Sequence, residues 1–439
     1  NFSSCVPATN ISTSGAQILA DDIAPYRQAQ HGHGLAEVMD LGAVLGGDAD
    51  MKRKLDLFDH VDGHMPGVTE GAALNLFAAS RIHTDHESTT MEEALEKYKR
   101  GIRILIREGT GCKNLEALMP FITVQRSYNT AFCTDDFHPA DITRDGHMDY
   151  IIRKAIALYD PQYHGADKNV HIANIYRMAC YAPTEIFGMN KNKARYGELA
   201  GGRMADIVLL NDLESCDVAQ VIKNGNIVMP DVFAHRPAVE ATGYDSVKNA
   251  PVTSGDFAID IKNVPDDFER TEDTVTFPCS EVYAGNVLTG EVLAPLPVID
   301  GAVQPDLSQD ILKVAVIERH GRTKGNVGAG FVKGFGFSCG AIASSVGHDD
   351  HNITVVGTND EDMVVAANAI RDMQGGYVVV KDSKIIADLA LPVAGLMSDK
   401  PYEDVASAED VIRQATDSLV KDDHDKLPQP LISLAFIAL

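Results

Sequence analysis

Four short apolar runs in the amino-terminal part of the chain each carry a metal-type donor at or just past their ends: Glu37 in "LAEVMD", His64 after "HVDG", His86 after "IHTD" and Asp135 after "NTAFCT". Neutral imidazole and carboxylate oxygen are donors that first-row divalent cations accept. A cation held this way keeps a position for water, whose pKa it lowers. Glu37, His64, His86 and Asp135 are therefore the expected ligands of a hydrolytic metal site. Three more carboxylates, Glu87, Glu108 and Asp136, fall at the same kind of position. The stretch "HGHGLAEVMD" offers an alternative, because His31 and His33 form a His-x-His pair next to Glu37. That pair precedes the apolar run while Glu37 follows its start, so only Glu37 is expected to point into a mouth formed by strand ends. The histidine pair reads as a surface loop.

The elements that must carry these residues alternate in type. "LAEVMD" is followed by "DADMKRKLDLFDH", "HVDGH" by "TEGAALNLFAASR", and "IHTDHE" by "TMEEALEKYKRG"; then "IRILIRE" leads to "NLEALMPFITVQ" and "NTAFCTDD" to "HMDYIIRKAIALY". Thr90 and Glu93 form a capping box at the start of the third helix. A strand and helix repeating about every 25 residues predicts parallel β/α architecture. Polar residues gathered at the carboxyl ends favour a (β/α)8 barrel over an open sheet. No G-x-G-x-x-G phosphate turn follows a strand, and "GTGCKN" after Glu108 lacks that spacing and reads as a plain loop.

Further on, "GELAGGRMADIVLLNDLESCDVAQVIKNGNIV" predicts three antiparallel strands. The expected division is a partial barrel over 1–195, a β-sandwich portion over 196–235, a connecting segment with irregular β structure over 236–304, and a second α/β domain over 305–439. The last contains "GHDDHN", with His348 and His351, and ends in "LISLAFIAL", which reads as a strand.

With 38 basic and 63 acidic residues the chain is a polyanion, which argues against binding a nucleic-acid backbone. Seven scattered cysteines without a C-x-x-C read as free thiols in a reducing compartment, so a cytoplasmic protein is expected. No apolar run approaches the roughly 18 to 20 residues that span a bilayer, and no membrane association is expected.

The blocks "SCVPAT", "GLAEVMD", "VDGHMPG", "DHESTTMEEALEK", "IREGTGCKNLEAL", "CTDDFHP", "GRMADIVLLNDLE", "KGFGFSCGAIASSVGHDDHNITVVGTND" and "LPVAGLMSD" together resemble the adenine deaminases of the amidohydrolase superfamily over nearly the whole chain. The resemblance implies a metal-dependent barrel, a small β-sandwich and an extra carboxyl-terminal domain, acting in purine salvage on adenine and water to give hypoxanthine and ammonia. It implies a binuclear site of manganese or iron, with zinc as an alternative, and a homo-oligomer, a dimer. Carried over residue by residue, Glu37 bridges two metals, His64 and His86 are ligands, and Asp135 binds metal and shuttles a proton. Asp136 contacts a purine ring nitrogen, Glu87 or Glu108 protonates the ring, and His348 and His351 line or cover the mouth of the site. The family also carries a His-x-His upstream of "SCVPAT" and continues past "SLAFIAL", so the chain is expected to be part of a longer polypeptide. The competing readings are an inactive truncated homologue serving as a binding or assembly module, and a deaminase of another aminopurine.

Overall fold

The computed structural model describes the chain except residues 10, 11, 30, 31, 70, 191–194, 235–238, 287, 324, 422–425 and 439. It divides into two compact units: residues 1–10, 18–137 and 144–239 form the first, and residues 11–17, 138–143 and 240–439 the second.

In the first unit the expected alternation is present. Strands β1 (Leu35–Val38), β2 (Val61–Gly63), β3 (Thr84–Asp85), β4 (Arg103–Arg107) and β5 (Thr130–Cys133) run parallel, β1 pairing with β2 and β4 with both β3 and β5. The His83 N–H donates to the Val61 carbonyl at 3.0 Å and carries the pairing from β2 to β3. Phe2 adds a parallel bridge to Leu35 on the outer side of β1. Helices follow the strands at Ala49–Leu57, Gly71–Ala79, Met91–Lys99, Leu115–Leu118 and Met148–Ala157. This is the β/α hydrolase architecture expected of a (β/α)8 barrel, with each strand's carboxyl end opening into the loop that carries its polar residue.

The local reasons are legible. Asp48 caps the first of these helices by accepting the Met51 N–H, and the Thr90 hydroxyl accepts the Glu93 N–H at 3.2 Å. Glu93 closes the box one residue further back, on the Thr89 N–H at 3.0 Å. Apolar residues of the strands and helices bury together, Leu35, Val38 and Val61 against Met51, Leu55, Leu74 and Phe77, and Ile104 and Ile106 against Leu115, Ile151 and Ala155. A three-stranded antiparallel sheet, β6 (Ile207–Asp212), β7 (Asp217–Lys223) and β8 (Asn226–Ile227), closes the unit as predicted.

The second unit is built on a ten-stranded sheet of order β18-β17-β15-β16-β13-β14-β10-β11-β12-β9. Its strands are β9 (Ile259–Asp260), β10 (Thr274–Glu281), β11 (Gly290–Ile299), β12 (Ala302–Val303), β13 (Ile311–Ile317), β14 (Val327–Lys333), β15 (Ala341–Ser344), β16 (Ile353–Gly357), β17 (Gly376–Lys381) and β18 (Lys384–Ala390). Alternation sends side chains to both faces. Ile353, Val355, Val378 and Val380 pack under the helix Asp360–Asp372, while Ile342, Val356 and Val379 pack with Val405, Ile412 and Leu434 of the helices Tyr402–Asp417 and Pro430–Phe436.

Two expectations are corrected here. The segment read as a connection over 236–304 contributes β9 to β12 to the sheet, and β10 pairs with β11 along its whole length. Three of its prolines, Pro278, Pro295 and Pro297, lie inside those strands and disguise the alternation. The terminal "LISLAFIAL" is not a strand: Pro430–Phe436 is a helix with Pro430 in its first turn, and Ile432, Leu434 and Ala435 are buried. A short run that is apolar but for Ser433 has no periodicity by which strand and buried helix can be told apart.

Lys97 and Asp85 are both fully buried in the first unit, with Nζ 2.8 Å from the Asp85 carboxylate and 2.9 Å from that of Glu93. Removing one member of a buried pair leaves uncompensated charge. Lys97→Met, which keeps the volume, is expected to cost about 3–5 kcal/mol, seen as a lower denaturant midpoint; an unchanged midpoint would show that the cluster carries no net stability.

In the second unit, Glu409 accepts the Ala140 N–H at 2.8 Å. Burial, reinforced by Asp141 and Asp410, pushes its carboxyl from the ordinary 4.5 up to about 7. Because the folded value is the higher one, the stability this group contributes is complete below 4.5 and lost as pH rises through about 7. Glu409→Gln stays neutral and keeps an acceptor, so its thermal midpoint should exceed the parent's at about pH 8 and match it at about pH 4.

Candidate active site

Successive strand ends of the first unit bring the sequence-predicted ligands together. Glu37 leaves β1 with its carboxylate 2.9 Å from His86 Nε2 and 3.4 Å from His64 Nδ1. Glu87, the residue after His86, places Oε1 3.1 Å from His86 Nε2 and 3.4 Å from His64 Nδ1. Two overlapping donor groups result, Glu37 with His64 and His86, and His86 with Glu87 and Asp135; within each, all ligand atoms lie within 4.8 Å of one another.

Both histidines are set by the charge cluster beneath them. Asp85 accepts the Met65 N–H at 3.1 Å and the Ser88 hydroxyl at 2.8 Å, and Lys97 donates to the Met65 carbonyl at 2.8 Å. The residues flanking His64 and His86 in sequence are thereby tied to one buried ammonium and one buried carboxylate.

The electrostatics fit a cation. Burial opposes charge on Glu37, yet the facing imidazoles of His64 and His86 outweigh it and hold its carboxyl far below the usual range. Burial likewise opposes a charged His86, and Glu37 and Glu87 outweigh it, raising that imidazole well above its ordinary value. Glu87 is held down to about 2, because His86 and Arg107 overcome the burial that would raise it. Protons on imidazole thus balance the carboxylates where a divalent ion would otherwise do so. His64 Nδ1 is the telling atom: although 3.4 Å from two carboxylates, it is buried without an aligned hydrogen bond. A buried, unsatisfied nitrogen facing carboxylates suits a metal ligand. Among the described residues no cysteine joins either donor group, which leaves a nitrogen and oxygen donor set.

Arg107, at the end of β4, was not singled out from the sequence. It is 2% exposed; its Nη1 and Nη2 grip the two Glu87 oxygens at 2.6 and 2.8 Å, and Nη1 also reaches Asp135 Oδ2 at 2.6 Å. The available signal was a cation closing the apolar strand "IRILIR", a place where an unpaired charge is too costly to bury.

The remaining candidates are placed as follows. Asp135 is about one third exposed, at 32%, and sits in left-handed backbone, φ 54°. Asp136 follows it, its carbonyl accepting the Thr110 N–H at 2.8 Å. Glu108 is fully buried but turned elsewhere, onto Lys154 Nζ at 2.6 Å and the Leu115 N–H at 3.3 Å, and it belongs to neither donor group. His33 lies before β1, its ring 5.4 Å from that of His60, which precedes β2; among the described residues it is in no donor group. His31 lies outside the described residues. His348 and His351 belong to the second unit, where His348 stacks on Phe436 at 4.5 Å and burial lowers His351 to about 4.

Among the described residues no helix is long and apolar enough to cross a membrane. All seven cysteines are free.

Two family models match the chain in succession: the amidohydrolase family over residues 43–228 and the adenine deaminase C-terminal domain over residues 286–439. The chain is 43% identical to an adenine deaminase of Gluconobacter oxydans over 442 aligned residues, covering 100% of this chain and 73% of that protein. It is 44% identical to an adenine deaminase of Methylobacterium nodulans, covering 100% of this chain and 72% of the relative, and 41% identical to one of Brucella anthropi, covering 100% and 73%. Identity above 40% along the full length of the chain, with both models in the order of the two structural units, makes it a member of the adenine deaminase family of amidohydrolases.

Proposed function

We propose that this protein hydrolyses adenine to hypoxanthine and ammonia in purine salvage, at the carboxyl ends of β1 to β5. The observation that carries the reading is the continuous path from the donor group Glu37, His64 and His86, through Glu87 and Arg107, to the partly exposed Asp135. Family membership supplies the substrate, and the donor set supplies a place for the cofactor.

Glu37, His64, His86 and Asp135 would hold a divalent metal, and the two overlapping groups suit a pair of ions. Manganese or iron matches imidazole and carboxylate donors without thiolate, and zinc is also compatible. When bound, the metal supplies Lewis-acid activation of water near neutral pH.

The rest of the chemistry falls to side chains. Water gives up two protons in turn, one as its oxygen adds at C6 and one as the C6 carbonyl forms; they end on the purine ring nitrogen and on the departing ammonia, so a carboxylate must accept a proton and pass it on. Asp135 can do both, because its carboxylate is within reach of solvent and substrate while Arg107 holds one oxygen at 2.6 Å. Asp136, next along the loop, is the group proposed to bond a purine ring nitrogen. Neither carboxylate considered for ring protonation is poised as an acid. Glu108 is committed to Lys154, and Glu87 is held as an anion by His86 and Arg107, so Glu87 is assigned to orienting the histidines. Its free thiols and an adenine substrate accord with a cytoplasmic enzyme.

Replacing His64 or His86 with alanine should lower metal affinity by more than about 100-fold, read by elemental analysis after dialysis. Joint replacement of His31 and His33 should leave metal content unchanged; loss of metal there alone would move the site to the opposite end of the strands.

Asp135→Asn is nearly isosteric and cannot carry a proton. It should keep the fold and the metal held by Glu37, His64 and His86 yet release no ammonia from adenine, and activity within about tenfold of the parent would remove Asp135 from the proton path. Asp136→Asn should instead change the preference for adenine over other aminopurines. A preserved preference would refute its role in recognition.

A further inference from the structure

Asp135 occupies left-handed backbone that L side chains other than Asn and Asp rarely adopt, and such a conformation persists only where its surroundings impose it. The loop after β4, residues 108–114, is packed against it. Glu108 N–H donates to the Cys133 carbonyl at 3.0 Å and Thr110 N–H to the Asp136 carbonyl at 2.8 Å, so the loop grips the chain on both sides of Asp135. Between these two bonds lies Gly109. A Cβ there would stand 2.0 Å from the Thr134 carbonyl oxygen and 2.7 Å from that of Asp136, and both obstacles are backbone atoms that cannot swing away.

Gly109 has no left-handed φ of its own, so glycine serves proximity here and not conformational freedom. The loop is rigid enough to act as a brace. Gly109 N–H donates to the Cys112 carbonyl at 2.9 Å, Glu108 bridges Lys113, and Asn114 N–H returns to the Arg107 carbonyl at 2.9 Å. That return places the foot of the loop on Arg107, whose guanidinium holds the tip of Asp135 at 2.6 Å. Backbone and side chain of Asp135 are thus located by one short segment.

We propose that the "EGTGCKN" loop sets the position of the proton-carrying carboxylate, with Gly109 as its positioning residue. The inference rests on the reading of Asp135 as proton carrier. Gly109 touches neither substrate nor metal ligands' donor atoms; it acts by letting two backbones meet.

The test uses the full chain with metal bound. Gly109→Ala should lower kcat about 100-fold, as expected for a misplaced catalytic group, while KM for adenine and the metal held by Glu37, His64 and His86 stay near the parent's; the thermal midpoint falls, because the added Cβ meets backbone atoms. The solvent deuterium isotope effect on kcat should rise as proton transfer becomes limiting. A kcat within about twofold of the parent, or a fall in kcat matched by loss of metal, would overturn the proposal. If Gly109→Ala does not fold, replacing Thr110 by its α-hydroxy analogue removes the N–H that holds Asp136 and otherwise only weakens the Gly109 carbonyl as an acceptor; a fall in kcat with KM and metal content unchanged is expected, and an unaltered kcat would overturn the brace. Asp135→Asn separates the two levels. If it stays active, the proton-carrier reading fails; if it is inactive while Gly109→Ala turns over normally, only the brace fails.

Discussion

The active site hangs on a buried ammonium. Lys97 is anchored on the helix after β3, and its Nζ is shared among Asp85, Glu93 and the Met65 carbonyl. Burying one cation and two carboxylates is costly unless nearly every polar atom is used. Here the ammonium makes three bonds, and Asp85 also accepts from Met65 N–H and Ser88. The same bonds stitch β2 to β3 immediately beside the two histidines. A strand only two residues long, Thr84–Asp85, has little ladder of its own, and the charge cluster supplies the register it lacks.

From that base the site is organised as a chain of compensating charges. Glu37 and Glu87 face His64 and His86, Glu87 faces Arg107, and Arg107 faces Asp135. Each charge is offset by a neighbour, and the two ends of the chain, Glu37 and Asp135, reach solvent. A metal bound to such a set would displace the proton that Glu37 and Glu87 favour on His86. The arrangement is stiff where ligands must be preorganised and open where a proton must enter and leave.

Glu108 and Glu87 show how neighbouring positions diverge. Both are buried glutamates near strand ends, yet one is spent on Lys154 and the N-terminus of the helix Leu115–Leu118, and the other joins the metal-type cluster. Sequence spacing puts both at the mouth of the barrel. Side-chain direction along β4, where Arg107 and Glu108 alternate, sends Arg107 inward to the cluster and Glu108 outward to the helices.

Local pattern alone determined the alternation of strands and helices, the caps at Asp48 and Thr90, and the placing of the candidate donors Glu37, His64, His86 and Asp135 near strand ends, because each depends on residues a few positions apart. Other features were decided only by tertiary structure. Arg107 is a site residue because β3 and β5 bring Glu87 and Asp135 to it. Gly109 is small because a loop distant in sequence passes within a Cβ's reach. Thr274–Glu281 and Gly290–Ile299 form strands because proline-bearing segments find partners that tolerate them, and Pro430–Phe436 is helical because a sheet face was available to bury Ile432, Leu434 and Ala435. In each case the deciding energy comes from contacts between segments far apart in the chain, to which hydrophobic periodicity and turn chemistry are blind.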